Sequence, residues 1–192
     1  MKNLNFPIQP FPSDNPVPDL KITAGIDRHS NILAISYTIL GSLKQLLIPE
    51  LACMPLRKHK LWEETCFEFF IGLKNSNESS HSGKYWEFNI SPAGHWNVYC
   101  FDSYRQNMQV VDSTLREETA FKSLPFEVLY QPDSLQIAAE LDLNKIIPAD
   151  KELKIAISAV IKSNDEKLSY WALKHPGSQP DFHHQDSFIA DF

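Results

Sequence analysis

From Leu20 onward the chain is built of short stretches in which apolar and polar positions alternate with a period of two. That period predicts β-strands, because successive side chains of an extended strand leave from opposite faces. Three such runs open the pattern: Leu20 to Ile26, Ile32 to Leu40 and Ser42 to Ile48, broken by 27–31 and by Gly41. In the next run Thr65, Phe67, Phe69 and Ile71 take one face, and Cys66, Glu68 and Phe70 take the other. The stretch from Tyr85 to Arg105 reads as an aromatic-rich hairpin turning at Ser91, Pro92, Ala93 and Gly94. Further strands are predicted at Met108 to Val111, Phe121 to Tyr130 and Leu135 to Leu143, the last two joined by a turn at 131–134. Asp142 to Ile147 fits a single helical turn that Pro148 stops. Leu153 to Ile161 has so few polar positions that it is expected to be central in its sheet or covered on both sides. No internal repeat and no helical period of ten or more residues occurs. Many short strands separated by turns predict an all-β antiparallel sandwich or barrel with at most short helical turns.

Residues 1–19 differ. Five prolines, at positions 7, 10, 12, 16 and 18, fix φ and remove backbone donors, which predicts an extended arm packed on the domain. Leu4, Phe6, Ile8 and Phe11 give the arm an apolar side able to lie along the domain as an edge strand or strap. Residues 20–192 are expected to form a single domain.

Composition narrows the class. A hydrophobic fraction of 43% and a charged fraction of 22% are those of a soluble globular protein. The net charge of −6 argues against a general nucleic-acid binder, which needs a basic surface. No window approaches the length of an apolar membrane span, and the first residues lack the apolar segment of a signal peptide, so a cytoplasmic protein is expected. Cys53, Cys66 and Cys100 are odd in number and lack a metal-binding spacing, so buried free thiols are expected.

The candidate chemistry lies in four places. The densest is the block from Tyr170 to Phe188, YWALKHPGSQPDFHHQDSF, which reads as a strand end running into a loop rich in aromatic, histidine and aspartate side chains. Glu68, flanked by apolar neighbours, must meet a donor or open onto a polar cleft. The 85–101 hairpin carries Glu87 and Asn89 on one face, and the parity of its loop decides whether Asn97 or Trp96 joins them. Arg57 to Lys60 form a basic loop cluster, read either as a solvated loop or as an anion-facing rim.

Trp62 followed by Glu64 and Glu68, then YWEFNISPAG, then a strand continuing to FDSYR, resembles the DOMON-like domains related to family 9 carbohydrate-binding modules. Its tryptophan, acid-rich strand and aromatic strand correspond to Trp62, Glu64, Glu68 and the run Phe88 to Gly94, and the terminal ALKHPGSQPDFHHQDSF block belongs to the same likeness. The resemblance implies a sandwich of two antiparallel sheets with a ligand cleft, in a superfamily whose ligands are sugars or haem. It does not imply one activity.

The expected function is therefore non-catalytic binding of a small molecule, a sugar or sugar derivative. The candidate ligand set is Trp62, Glu64, Glu68, Glu87, Asn89, Arg105, Trp171, Lys174 and His175. Aromatic faces stack on sugar rings, while carboxylates, amides and a guanidinium bond hydroxyls. Trp86 and Trp96, inside strands, are expected in the core; Trp62 and Trp171, at strand ends, are the candidate platforms. For Glu68 and Arg105 an ion pair with each other is the competing expectation. A haem cytochrome would draw its ligands from Met54, Met108, His175 and His183. A metal-dependent enzyme would use Asp181, His183 and Asp186; the adjacent His183 and His184 point to opposite sides of an extended segment and cannot readily share one ion.

Overall fold

The computed structural model describes residues 4–74, 83–105 and 115–192. Among them are eleven strands: β1 (Leu4–Pro10), β2 (Lys21–His29), β3 (Ile32–Leu40), β4 (Cys66–Leu73), β5 (Tyr85–Ile90), β6 (Trp96–Phe101), β7 (Phe126–Gln131), β8 (Ser134–Asp142), β9 (Leu153–Lys162), β10 (Leu168–Ala172) and β11 (Ala190–Asp191). All pairings between these strands are antiparallel. The first sheet runs β1-β2-β3-β8-β7 and the second β6-β5-β4-β9-β10, with β11 beside β9. The all-β antiparallel architecture expected from the period-two pattern is what forms, and helix is confined to 3-10 turns among the described residues.

Two alternating apolar faces meet between the sheets. Ile22, Ala24, Ile26, Leu33, Ile35, Tyr37 and Ile39 of the first sheet pack against Phe67, Phe69, Ile71, Trp86, Phe88 and Val98 of the second. Phe69 and Phe88, directly paired on neighbouring strands, stack with centroids 4.6 Å apart. Tyr37 donates its hydroxyl to the Glu68 carbonyl at 2.6 Å, so the one polar atom this large side chain carries into the core is satisfied.

The proline-rich arm joins the two sheets. Leu4 to Ile8 pair with β2, and then Gln9 and Pro10 pair with β10. Phe11 N–H continues the crossing with a 2.7 Å bond to the Tyr170 carbonyl. Each half of β1 borders a different sheet, and edge positions are where missing proline donors are tolerated.

Several expectations need correction. Ser42 to Ile48 contains a 3-10 turn, Leu43–Gln45, and not a third strand. The strand expected over Phe121 to Tyr130 starts only at Phe126, after Pro125. Leu153 to Ile161 does run through the middle of its sheet, with β4 on one side and β10 and β11 on the other. Cys53 is exposed, whereas Cys66 and Cys100 are buried free thiols. The strand expected at Met108 to Val111 lies outside the described residues.

Candidate functional site

The face of the second sheet turned away from the core carries the polar chemistry. In β4 the alternation that sends Phe67 and Phe69 inward sends Glu68 and Phe70 outward. The hairpin register resolves the parity left open by the sequence: Asn89 pairs with Asn97 and Glu87 with Tyr99, so Asn97 joins the polar face and Trp96 enters the core. Glu68 pairs with Asn89 and Phe70 with Glu87, which makes the two glutamates diagonal neighbours on one face.

Chain segments from both ends of the sheet cover this face. Trp62, in the 3-10 turn Leu61–Glu63, is half-buried and meets Tyr99 edge-on at 6.0 Å. From the other side the C-terminal block brings Phe182, His183 and Phe188 against Phe70, Tyr85 and Phe101. As a result Glu68 and Glu87 are only 4% and 3% exposed, an unusual place for two carboxylates.

Their environments differ. Asn89 Nδ2 donates to Glu87 Oε1 at 2.7 Å, but Glu87 Oε2 is buried with no hydrogen-bond partner among the described residues. His183 Nε2 lies 3.7 Å from it, too far for a hydrogen bond. Burial raises Glu87 to about 7, against the opposing effects of Asn89 and Arg105. Burial, and then the neighbouring Glu87, push Glu68 well above the ordinary carboxylate range.

His183 is neutral. Burial, and secondarily the charge of Arg105, lower it to about 3. Arg105 N–H donates to Tyr85 Oη at 3.2 Å, which leaves the Tyr85 hydroxyl proton for His183 Nδ1 at 2.9 Å. This arrangement places the imidazole proton on Nε2, the nitrogen facing Glu87. The Arg105 guanidinium itself bonds Asp181 Oδ1 at 2.8 Å, and Tyr104 donates to Asp181 Oδ2.

Asn97 is saturated by protein. Its Oδ1 accepts from Arg57 at 2.9 Å and from Val98 N–H at 2.8 Å. Its Nδ2 reaches Lys58 O, Tyr99 Oη and Glu117 Oε1 at 2.9–3.0 Å. Arg57, from the basic cluster, is tied inward as well: it lies 4.3 Å over the Trp96 ring and donates to the carbonyls of Glu118 and Phe121. The basic cluster singles out Arg57 in the sequence, and Tyr99 shares the alternation of Asn97 in the hairpin, but nothing in the sequence points to Glu117.

The structure thus brings Trp62, Glu68, Glu87, Asn89 and Arg105 to one region. It does not bring the others. Trp171 lies inside β10 in the inter-sheet core, its Nε1 bonded to Ser169 at 3.0 Å, so it offers no stacking platform. Glu64 turns outward to Lys162 at 2.8 Å. Lys174 is exposed, and His175 is held on the arm by the Gln9 carbonyl at 2.9 Å and by the Phe11 ring. The Glu68–Arg105 pair is replaced by Arg105–Asp181.

For the metal candidates, Asp181 is engaged by Arg105 and Tyr104, His183 Nδ1 faces Tyr85, and Asp186 lies within the 3-10 turn Gln185–Ser187 capped by His184. No group of three His, Cys, Asp or Glu side chains is placed to hold a metal among the described residues. Of the haem candidates, Met54 is exposed in a loop and Met108 lies outside the described residues. A separate hollow of about 590 Å³ lies on the outer face of the first sheet, floored by Gly25, Ser36 and Ala138; its carboxylates, Asp27, Glu127 and Glu140, are accessible to solvent.

No protein-family model and no curated protein matches the chain. Solved structures do. A protein of Bacteroides uniformis ATCC 8492, proposed to bind carbohydrate, superposes with a TM-score of 0.61 at 10% identity over 97% of this chain and 84% of its own. A family 9 carbohydrate-binding module from Caldicellulosiruptor kristjanssonii in complex with glucose gives 0.58 at 7% identity, over 92% of this chain and 77% of its own. The cellotriose complex of a family 9 module from that organism gives 0.54 at 6% identity over 92% and 75%. At these identities the likeness shows a shared fold.

Proposed function

We propose that this protein is a non-catalytic binder of a carbohydrate ligand, held over the outer face of the second sheet beneath Trp62 and the C-terminal block. The observation that carries the reading is the convergence of Glu68 and Glu87 on one buried face with an acceptor, Glu87 Oε2, that the described residues leave unbonded. A buried acceptor without a donor is costly, by roughly 1–3 kcal/mol, and a ligand hydroxyl supplies the donor. Trp62, half-buried and already edge-on to Tyr99, provides the aromatic surface that sugar rings stack against. The fold supports the reading, because the family 9 modules it resembles were solved with glucose and cellotriose. The DOMON-like relationship drawn from the Trp62–Glu68 and FNISPAG motifs belongs to the same proposal.

The test is isothermal titration with glucose, cellotriose and a wider panel of mono- and oligosaccharides. Binding that weakens tenfold or more in Trp62→Ala and in Glu68→Gln, both still folded, is the expected result. No binding across the panel at millimolar concentration would remove the proposal.

A further inference from the structure

Among the described residues no cation bonds either carboxylate, although the charge of Arg105 acts on Glu87 from a distance and favours its ionised form. Arg105 is committed to Asp181, and Arg57 to Asn97 and two backbone carbonyls. Cys66 and Tyr85, on the same strands as the two glutamates, are raised by burial and remain neutral acids. Tyr99 and Tyr37 are raised for the same first reason, and His183, facing Glu87 from the C-terminal block, stays uncharged. The segment 106–114, which follows Arg105 in the chain, contains no lysine or arginine. A neutral sugar hydroxyl bonds one oxygen but does nothing to stabilise an ionised carboxylate here, whereas an ammonium group bonds an oxygen and compensates the charge. The independent pointer to a ligand is Glu87 Oε2 itself, 3% exposed as a residue and unbonded among the described residues. Phe70, Tyr85, Tyr99 and Phe101 cluster with the pair on this outer face and supply no charge that would favour an anion.

We infer that the Glu68–Glu87 pair selects a ligand carrying a primary ammonium group, an amino sugar in preference to its neutral counterpart, with the ammonium seated between the two carboxylates. The inference rests on the carbohydrate reading and names the class of sugar. Because the ligand-free pair retains protons that burial favours, seating an ammonium expels one. Binding is then coupled to proton release and strengthens as the pH rises from 5 to 6.5, the range in which the sugar's ammonium stays charged.

The experiment titrates D-glucosamine, D-glucose and N-acetyl-D-glucosamine into the full chain at pH 6.5, where glucosamine carries its ammonium charge, each in two buffers of different ionisation enthalpy. The expected result is glucosamine binding about tenfold or more tighter than either neutral sugar, with release of about one proton that the neutral sugars do not cause. Glu87→Gln, checked for folding by circular dichroism, brings the glucosamine-to-glucose ratio towards one. Glucose binding as tightly as glucosamine, or glucosamine binding without proton release, overturns the ammonium inference and leaves the carbohydrate reading standing. Failure of glucosamine to bind also overturns the inference, and the wider sugar panel then decides the carbohydrate reading separately. The wild-type selectivity and proton count need no variant, so a misfolded Glu87→Gln protein does not rescue the inference.

Discussion

Glu87 Oε2 faces His183 Nε2 at 3.7 Å, and the two do not neutralise one another: burial holds the imidazole uncharged and makes the carboxyl a weak acid. The pair spans 96 positions of sequence and joins β5 of the second sheet to the C-terminal block that covers it. Both groups are kept from their ordinary charge states, so each links the fold to pH with an opposite sign.

The first prediction concerns that linkage. Glu87 is raised from its ordinary 4.5 to about 7 in the folded chain. Its contribution to stability is complete below 4.5 and is lost as the pH climbs through about 7. His183 is lowered from 6.5 to about 3, so its contribution is complete above 6.5 and is lost as the pH falls towards 3. Glu87→Gln removes the alkaline limb: relative to wild type, the variant gains about 2–3 kcal/mol between pH 4.5 and 8. Urea denaturation at pH 5, 6.5 and 8 reads the difference. Parallel pH profiles for the two proteins would refute it.

The four tryptophans separate by position. Trp86→Ala and Trp171→Ala remove buried rings from the inter-sheet core and are expected to cost about 3–5 kcal/mol each, which denaturation measures. Trp62→Ala, at a half-buried site, is expected to cost about 1–2 kcal/mol while weakening carbohydrate binding tenfold or more. Trp171→Phe leaves affinity within about twofold, since the ring lies on the core side of its sheet. An affinity loss for Trp171→Phe equal to that of Trp62→Ala would mean that the binding face has been misplaced.

These positions show what the chain reveals before folding and what it does not. Period-two alternation around Phe67, Phe69 and Ile71 was enough to place Glu68 on the opposite face, because strand geometry alone sets it. Asn97 was not assignable, since its face depends on the turn at Ser91 to Gly94, where one residue more or less inverts the strand. The turn is fixed by a 2.8 Å bond from Ser91 N–H to the His95 carbonyl and by Gly94 at φ +88°. Trp171 stands one residue from the end of β10, as the pattern implies, but its face is set by the register with β9, which turns the ring into the core and which the sequence does not show. The relation between Tyr85 and His183 spans 98 positions and leaves no local pattern at all.

Arg57 is expected to be a structural residue despite its place in a basic loop. One guanidinium bonds Asn97 Oδ1 and the carbonyls of Glu118 and Phe121 while covering Trp96. Arg57→Ala leaves three acceptors short of a donor and is predicted to cost about 2–4 kcal/mol. Arg57→Lys recovers less than half of this, because an ammonium lacks the planar fork that reaches several acceptors at once. Chemical denaturation of both variants decides it; a lysine variant as stable as wild type would show that charge alone matters.

Arg105 and Asp181 are predicted to act as the fastening of the C-terminal block. Asp181 Oδ1 accepts from Arg105 at 2.8 Å and from the His183 N–H at 3.1 Å, so the ion pair and the position of His183 depend on the same oxygen. The Arg105 side chain is 40% exposed, and solvent screening therefore limits the coupling to about 1 kcal/mol in a double-mutant cycle of Arg105→Ala and Asp181→Ala. The larger effect is expected to be local. Amide hydrogen exchange across 182–188 accelerates in either single variant, while the core strands β4 and β9 keep their protection. Asp181→Asn keeps one carbonyl oxygen, which can still accept from the His183 N–H, but loses the charge and the second acceptor that Tyr104 uses, so it should fall between wild type and Asp181→Ala. Uniform acceleration across the whole chain would instead make the pair a contributor to global stability, with no special hold on the block.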